Sequence, residues 1–385
     1  MFDGEEWREA SFAALADYAN GRAFKPEDWG EVGLPIIRIA QITKPGSETN
    51  CFAGAVEPRH LIHDGDLIFS WSATLAVVRW SGGPAVLNQH LFKVTPAEGI
   101  DRDWLQYRLE ASIPDLADEA HGTTMKHIRK GTLTSKSTRV PPLDEQQRIA
   151  EVLRSVDEAI AVQSAVRDQL AATFDQLVEA CFAEEAGWPR VPLGEVCQSI
   201  QVGIVIRPAS YYVESGGIPA LRSLNVGENR LDLDDLVYIS EDGHRLNNKS
   251  SLRPGDVVTR RTGEPGKSAV IPATFDSALN CIDIIFSRPK IELRSLFLSF
   301  FMNSDAAKRQ VSAMQGGLAQ QHLNVGEMKK LKVPLPPLDR QDEVIAVLND
   351  AWSQLEIEGE AVRRLSSVKV GLASDLLSGR VRVPA

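Results

Sequence analysis

The sequence contains few of the residues that mark secreted, metal-bound or membrane proteins. Its 385 residues include only four cysteines, Cys51, Cys181, Cys197 and Cys281, and no two of them form a C-x-x-C pair. A disulfide scaffold and a structural zinc site are therefore both disfavoured. No apolar run approaches the roughly 18 residues of a membrane span, and the N-terminus is acidic, so no membrane is expected as a partner. The predicted compartment is the reducing cytoplasm.

Aromatic residues are also scarce, and the net charge is acidic. Aromatics make up 6% of the chain, which disfavours a base-stacking platform for single-stranded nucleic acid. The net charge of −10 argues weakly against a nucleic-acid binder, but the acidic excess is concentrated in residues 141–187. Hydrophobic residues at 43% and charged residues at 24% are typical of globular proteins. At about 100–200 residues per domain, the length predicts two or three domains.

Motifs that carry catalysis are missing as well. The sequence has no G-x-G-x-x-G, no Walker A motif and no G-x-S-x-G elbow. The glycines at 263–267 surround Glu264 and a proline, which predicts a hairpin tip rather than a phosphate loop. His60 and His63 lie three residues apart, but no cysteine or acidic cluster completes a metal site. We therefore predict a protein with no catalytic residues, no metal and no cofactor.

What the sequence does contain is an internal duplication, visible as matches that keep their order. The most specific is Pro-Pro-Leu-Asp-Glu-Gln at 141–146, which returns as Pro-Pro-Leu-Asp-Arg-Gln at 336–341. Other ordered matches pair 33–38 with 217–222, 65–67 with 255–257, and 87–88 with 279–280. A repeat of this length indicates duplicated domains rather than the short units of a solenoid.

Each copy is predicted to consist of a domain followed by a long helix. The boundaries place a first domain at 1–140, a central helix at 141–187, a second domain at 188–335 and a C-terminal helix at 336–385. In both domains, short β-type runs alternate with Gly, Pro, Asn and Ser clusters, and helical patches follow. The predicted fold class is α+β, with two tandem mixed α/β domains.

The two helices have narrow apolar stripes. Apolar side chains recur at steps of mostly three or four residues over 149–181 and over 344–376. Tandem prolines before each stretch, with Asp144 or Asp339 in the first turn, are typical of a helix start. The stripes predict that the helices pack on each other as an antiparallel coiled coil. The alternative is that each helix packs on its own domain as ordinary core.

Polar and basic loops lie at matched positions of the two domains. The candidate binding residues are Lys126, His127, Arg129 and Lys130 in the first copy, and Arg260, Arg261, Lys267, Gln320, Gln321 and His322 in the second. Lysine and arginine neutralise phosphates, whereas arginine and glutamine also pair with base edges. Two domains that share a fold but carry different loop residues could recognise two different DNA sequences. The alternative is a pair of solvated loops without a ligand.

With these features the chain resembles the DNA-specificity (S) subunit of type I restriction–modification enzymes. The segments that carry the resemblance are 33–39, 65–72, 122–128, the two Pro-Pro-Leu-Asp-x-Gln segments and 375–381. The resemblance covers nearly the whole length. It implies that each domain is a target recognition domain and that the helices are spacers between two short half-sites of double-stranded DNA.

The resemblance also implies partners that do the chemistry. Two methyltransferase (M) subunits would dock on the spacers and domains and methylate adenine, and ATP-driven nuclease–translocase (R) subunits would complete the restriction complex. The S subunit itself would be non-catalytic and bind no cofactor. One rival hypothesis is a coiled-coil protein-interaction scaffold without DNA specificity. A nearer variant is the specificity subunit of a modification-only phage-defence system.

Overall fold

A computed structural model of the chain describes residues 6–44, 46–117, 128, 130–183, 187–275, 277–314 and 322–383. The chain divides into two compact units. Unit 1 consists of residues 1–163 and 360–385, and unit 2 consists of residues 164–359. Each unit therefore contains one domain copy together with half of each long helix.

The described strands of the first copy form three small sheets. Their bounds are β1 Arg8–Ser11, β2 Ala16–Asn20, β3 Leu34–Ile37, β4 Cys51–Phe52, β5 Leu61–Ile62, β6 Leu67–Ser70, β7 Ala76–Arg79, β8 Ala85–Leu87, β9 Leu91–Pro96 and β10 Ser137–Val140. The sheet orders are β1-β10, β2-β9-β6-β7 and β4-β3-β8-β5. All pairs are antiparallel except β3 with β8, which are parallel.

The strands of the second copy repeat this arrangement. Their bounds are β11 Arg190–Pro192, β12 Cys197–Val202, β13 Tyr212–Val213, β14 Ile218–Leu221, β15 Val237–Ile239, β16 Ser251–Leu252, β17 Val257–Arg260, β18 Ser268–Val270, β19 Leu279–Cys281, β20 Ile284–Pro289 and β21 Lys332–Pro334. The orders are β11-β21, β12-β20-β17-β18 and β13-β15-β14-β19-β16, with β14 and β19 parallel. The third sheet gains β13 at its edge, and the duplication is otherwise visible strand by strand.

Short helices accompany the strands, and two long helices follow the copies. The helix bounds are α1 Phe12–Leu15, α2 Ile39–Thr43, α3 Arg102–Ala117, α4 Lys130–Ser135, α5 Leu143–Phe182, α6 Glu241–Leu246, α7 Ser295–Asn303, α8 Asp305–Met314, α9 Val325–Lys330 and α10 Leu338–Ser378. Both α5 and α10 begin directly after a Pro-Pro pair, as the sequence predicts. Gly379 ends α10 in the left-handed region at φ +73°, the conformation that glycine adopts at helix C-termini.

A glycine at equivalent positions of the two copies allows the same close approach between two segments of backbone. Gly21 follows β2 and Gly203 follows β12, and each passes directly against a neighbouring chain segment. A Cβ atom would lie 2.3 Å from the carbonyl oxygen of Asn88 at the first position and of Cys281 at the second. Only glycine allows this approach, so the end of each strand is held close to the turn that follows β8 or β19.

The Gly-Asp match of the sequence has a structural role in both copies. Asp66 lies 2.8 Å from Lys93 Nζ and accepts the backbone N–H three residues earlier. Asp256, 1% exposed, makes the equivalent backbone contact and takes two hydrogen bonds of 2.7 Å from Arg288. Each aspartate thus ties the turn before a central strand to the adjacent strand, which explains the repeated residue without any ligand.

In unit 1 the first half of α5 packs against the last part of α10. Ile149 and Leu153 share a buried cluster with Leu376 and with core residues of the first domain. Lys369 Nζ forms an ion pair with Asp157 Oδ1 at 2.6 Å. Burial of these apolar side chains contributes most of the stabilisation, at about 25 cal/mol per Å² of apolar surface.

In unit 2 the second half of α5 packs against the first part of α10. The rings of Phe174 and Trp352 lie 5.3 Å apart, and Val178 and Leu348 belong to the same buried cluster. The start of α5 thus packs beside the end of α10, and the end of α5 packs beside the start of α10, so the two helices run in opposite directions. The predicted antiparallel helix pair is confirmed, and so is the fold class. In both units the helix pair also shares its buried cluster with the adjoining domain, so the two packing alternatives are combined.

Candidate nucleic-acid interface

The basic residues of the second copy lie at the end of β17, in the hairpin that leads to β18. Arg260 closes β17 and Lys267 directly precedes β18. Glu264, at the hairpin tip, is 3.0 Å from Arg260 Nη1 and 2.9 Å from Lys267 Nζ. The hydrogen bond from Lys267 holds the pKa of Glu264 below its ordinary value. The predicted hairpin tip is confirmed, with both cations gathered around one carboxylate.

Arg261 connects this hairpin to two other segments. Its Nε donates to the carbonyl oxygen of Leu323 at 3.2 Å, and its Nη1 pairs with Asp283 at 2.5 Å. The backbone N–H of Leu323 donates in turn to the Arg261 carbonyl oxygen at 3.1 Å. His322, the residue before Leu323, is exposed. The structure therefore brings the predicted residues Arg261 and His322 to one edge of the domain, together with the hairpin.

The three cations of this edge are partly buried and paired with protein carboxylates. Arg260, Arg261 and Lys267 expose 19%, 27% and 28% of their side chains. A phosphate would compete with Glu264 and Asp283 for these cations, so their charge is not freely available. Because the pairs lie near the surface, each exchange would cost about 1 kcal/mol or less.

Six predicted binding residues remain, four in the first copy and two in the second. Lys126, His127, Arg129, Gln320 and Gln321 lie outside the described residues. Lys130 is the first residue of α4. The assignment of these residues to DNA contact therefore stays a prediction.

The first copy has the same edge built from different side chains. Ile128 donates its backbone N–H to the carbonyl oxygen of Trp71 at 2.8 Å, as Leu323 does to Arg261 in the second copy. Trp71 follows β6 in the place where Arg261 follows β17. The two edges are thus equivalent in backbone, but an arginine in one corresponds to an aromatic residue in the other.

A polar turn that the sequence analysis did not single out lies on this first edge. Gln89 and His90 occupy the turn between β8 and β9, and both are exposed. The His90 ring lies 5.7 Å from the Trp71 ring, and its Nδ1 is 3.4 Å from Ser72 Oγ. Gln89 Nε2 is 3.4 Å from His90 Nε2. The predicted match of Leu87-Asn88 with 279–280 is wrong by two residues, since Leu87 ends β8 whereas 279–280 lie within β19, and the structure aligns Leu87 with Cys281. The sequence therefore carries no signal for this exposed turn.

Arg38 and Arg222 are a second equivalent pair that the sequence analysis missed as candidates. Each follows the strand of its copy that runs parallel to a neighbour, β3 or β14. Arg38 Nη1 donates to Asn50 at 2.8 Å, and Arg222 Nη2 donates to Asp235 at 3.0 Å. Arg38 Nη2 and Arg222 Nε are buried without a hydrogen-bond partner among the described residues. These guanidinium groups therefore order the loops next to the edge.

Metal and membrane sites are the other kinds of site to consider. Among the described residues, no group of three or more His, Cys, Asp or Glu side chains is arranged to hold a metal ion. None of the helices in this part of the chain is both long enough and apolar enough to cross a membrane.

Comparison with protein-family models identifies the family of the chain. The model of the type I restriction modification DNA specificity domain matches it twice, at residues 4–172 and 185–364. The chain belongs to this family. The two matches coincide with the duplication and include most of each long helix, so the family unit is a domain together with its helix.

Curated members of the family are similar over most of their length. The specificity subunit of the type I restriction enzyme EcoBI from Escherichia coli is 22% identical over 372 residues, covering 89% of this chain and 78% of the relative. The MjaVIII specificity subunit from Methanocaldococcus jannaschii is also 22% identical, covering 84% of this chain and 80% of the relative. The prediction of a specificity subunit rather than an enzyme is confirmed by these relatives.

Solved structures share the fold. The S subunit of a type I restriction–modification system from M. genitalium has a TM-score of 0.59 at 15% identity, covering 97% of this chain and 96% of that one. A chain from a study of complex assembly and conformational transition of the type I R-M system has a TM-score of 0.55 at 18% identity, with 98% of both chains covered. These identities support the fold alone.

Proposed function

We propose that this family member binds a bipartite double-stranded DNA target and directs adenine methylation and restriction by partner subunits in the cytoplasm. Each domain, at 1–140 and 188–335, reads one half-site. The helices at 141–187 and 336–385 set the distance between the half-sites and carry two methyltransferase subunits. Nuclease–translocase subunits complete the restriction complex.

The observation that carries this proposal is the equivalent edge found in both copies. The same strand ends build it, yet Arg261 and Asp283 occupy it in one copy and Trp71 and His90 in the other. One frame with different polar groups is what two half-sites of different sequence require, because base edges are distinguished by their donor and acceptor patterns. The candidates for phosphate or base contact are Lys126, Arg129, Lys130, Arg260, Arg261 and Lys267. The candidates for base edges are Gln320, Gln321 and His322, and His127 is a further candidate for DNA contact.

Genome-wide mapping of methylated adenines tests the proposal. The chain would be co-expressed with the methyltransferase encoded beside it, in a host that lacks other adenine methyltransferases. We expect methylation at one split motif with a fixed gap, and none when the chain is omitted. Methylation without a motif, or a stable complex that methylates nothing, would favour the scaffold hypothesis. A nuclease–translocase gene beside the other two distinguishes a restriction system from one that only modifies DNA.

A further inference from the structure

The turn between β8 and β9 differs between the two copies in a way that bears on base recognition. In the first copy the turn contains Asn88, Gln89 and His90 before Leu91 begins β9. The Gly21 N–H donates to the Leu91 carbonyl oxygen at 3.0 Å. In the second copy the equivalent bond, at 2.9 Å, runs from Gly203 to Ile284. The two bonds are equivalent, but three residues separate β8 from β9, whereas two residues separate β19 from β20. The turn of the first copy is therefore one residue longer.

In the second copy this turn is closed by internal contacts. Asp283 adopts a left-handed backbone at φ +50°, and its carboxylate is paired with Arg261. Its carbonyl oxygen accepts a hydrogen bond from Ser223 at 3.4 Å. A carboxylate facing DNA would be repelled by phosphates unless it is neutralised, and here the protein supplies the neutralising cation. The turn of the second copy is therefore a structural connection.

In the first copy the same turn presents an ordered amide to solvent. The turn's backbone is held by Asn20, whose amide donates to the Gln89 carbonyl oxygen at 3.4 Å. When His90 Nδ1 carries the proton, that nitrogen donates to Ser72 and the opposite nitrogen accepts an N–H of the Gln89 amide. This chain of contacts orients the amide, and its carbonyl oxygen and its second N–H have no hydrogen-bond partner among the residues that the structure describes.

We propose that Gln89 is a base-reading residue of the first domain that recognises adenine, and that His90 is the positioning residue that orients its amide. An amide that offers one acceptor and one donor side by side matches the N6 amino group and N7 of adenine in the major groove. Both side chains are exposed, and the Trp71 ring lies next to the His90 ring. The Gln89 amide is therefore accessible to DNA and held in one orientation, as base recognition requires. The proposal rests on the proposed function, since it assigns one base of a half-site.

Substitutions at Gln89 test the proposal on the intact complex with its methyltransferase subunits. DNA selected from a randomised duplex pool by the wild-type complex gives both half-sites. Gln89→Ala should lower discrimination at one position of one half-site by about tenfold or more. Gln89→Glu should move the preference there from adenine towards cytosine, because a carboxylate accepts from the cytosine amino group. The half-site read by the second domain serves as an internal control and should not change.

The control variant is Gln198→Ala, which makes the same exchange at an exposed position of β12 that is not among the candidate DNA contacts, and it should leave both half-sites unchanged. His90→Ala should broaden the preference at the same position as Gln89→Ala, whereas His90→Asn, which retains an acceptor and a donor, should restore part of it. Thermal melting of each variant separates folding defects from readout.

The outcomes separate this inference from the proposed function. A wild-type complex that selects no split motif overturns the proposed function. A split motif that is identical for the wild type, Gln89→Ala and Gln89→Glu overturns the base-reading role alone. Equal loss of binding on all sequences by a folded Gln89→Ala complex also overturns it, because that pattern is typical of a phosphate contact.

Discussion

Gln146 and Gln341 make the same hydrogen bonds in the two copies. Each amide nitrogen donates to the carbonyl oxygen of the residue five positions earlier, at 2.9 Å in both cases, and to a second backbone carbonyl oxygen at 3.1 or 2.8 Å. Each Oε1 accepts a backbone N–H, from Asp101 or Arg294, at 2.8 Å. The repeated glutamine therefore ties the start of each long helix to the segment just before α3 or α7.

Replacing Gln341 by alanine should destabilise unit 2. The side chain is fully buried, and its loss leaves two carbonyl oxygens and one N–H without their partner. We expect a cost of about 3 kcal/mol. Thermal melting of the purified chain would measure it as a lower transition temperature. Gln147→Ala, at an exposed position, should change the stability by less than about 0.5 kcal/mol, and an equal effect of both variants would contradict the role of the buried glutamine.

The ion pair of Glu145 with Arg382 should make the stability of unit 1 dependent on pH. Burial raises the pKa of Glu145, but hydrogen bonds from Arg382, at 2.7 Å to each oxygen, and from Trp7 outweigh it, so the pKa lies below its ordinary value. A lowered carboxylate pKa contributes stability above the ordinary value of about 4.3. That contribution is lost as the pH falls through the lowered pKa.

The comparison of Glu145→Gln with the wild type measures this contribution. Near pH 7 the variant should unfold at a lower temperature than the wild type. The difference should shrink as the pH is lowered below about 4. The control is the substitution of Arg340 by glutamine, because Arg340 occupies the same motif position in the second copy and its side chain is exposed. A difference that is constant from pH 7 to pH 3 would show that the ion pair contributes nothing through its charge.

Lengthening the helix pair should lengthen the gap between half-sites. Insertion of seven residues near position 163 of α5, together with seven near position 360 of α10, adds about 10 Å while retaining the heptad register. At about 3.4 Å per base pair, we expect the gap in the methylated motif to grow by about three base pairs. Both half-sites should keep their sequences. Insertion of seven residues beside Gly46, in a loop of the first domain, is the matched control and should leave the gap unchanged.

Lys267 and His322 should respond differently to substitution. Lys267→Ala removes a cation next to the predicted interface, so binding should weaken on all sequences alike, and the salt dependence of log Kd should fall by about one unit of slope. His322→Ala should instead alter base preference in the half-site of the second domain. Lys332→Ala, an exposed position on β21, is the control. Identical behaviour of the Lys267 and His322 variants would contradict the division between phosphate and base contacts.

The sequence by itself determined the duplication, the mixed α/β class and the two long helices. These features depend on local signals, since helix periodicity, tandem prolines and ordered motif matches are contained in short stretches of chain. The antiparallel helix pair was also predictable, because two narrow apolar stripes on polar helices have few other ways to be buried.

The tertiary structure alone decided which polar groups share an edge. Arg261 and Asp283 are far apart in the sequence, as are Glu145 and Arg382, and no local pattern links them. The exposed turn at Gln89 and His90 carries no motif, and its orientation depends on Trp71 and Ser72 from a different strand end. Contacts between distant segments depend on sheet pairing and on close approaches such as that of Gly21, and these arise only when the whole domain is folded.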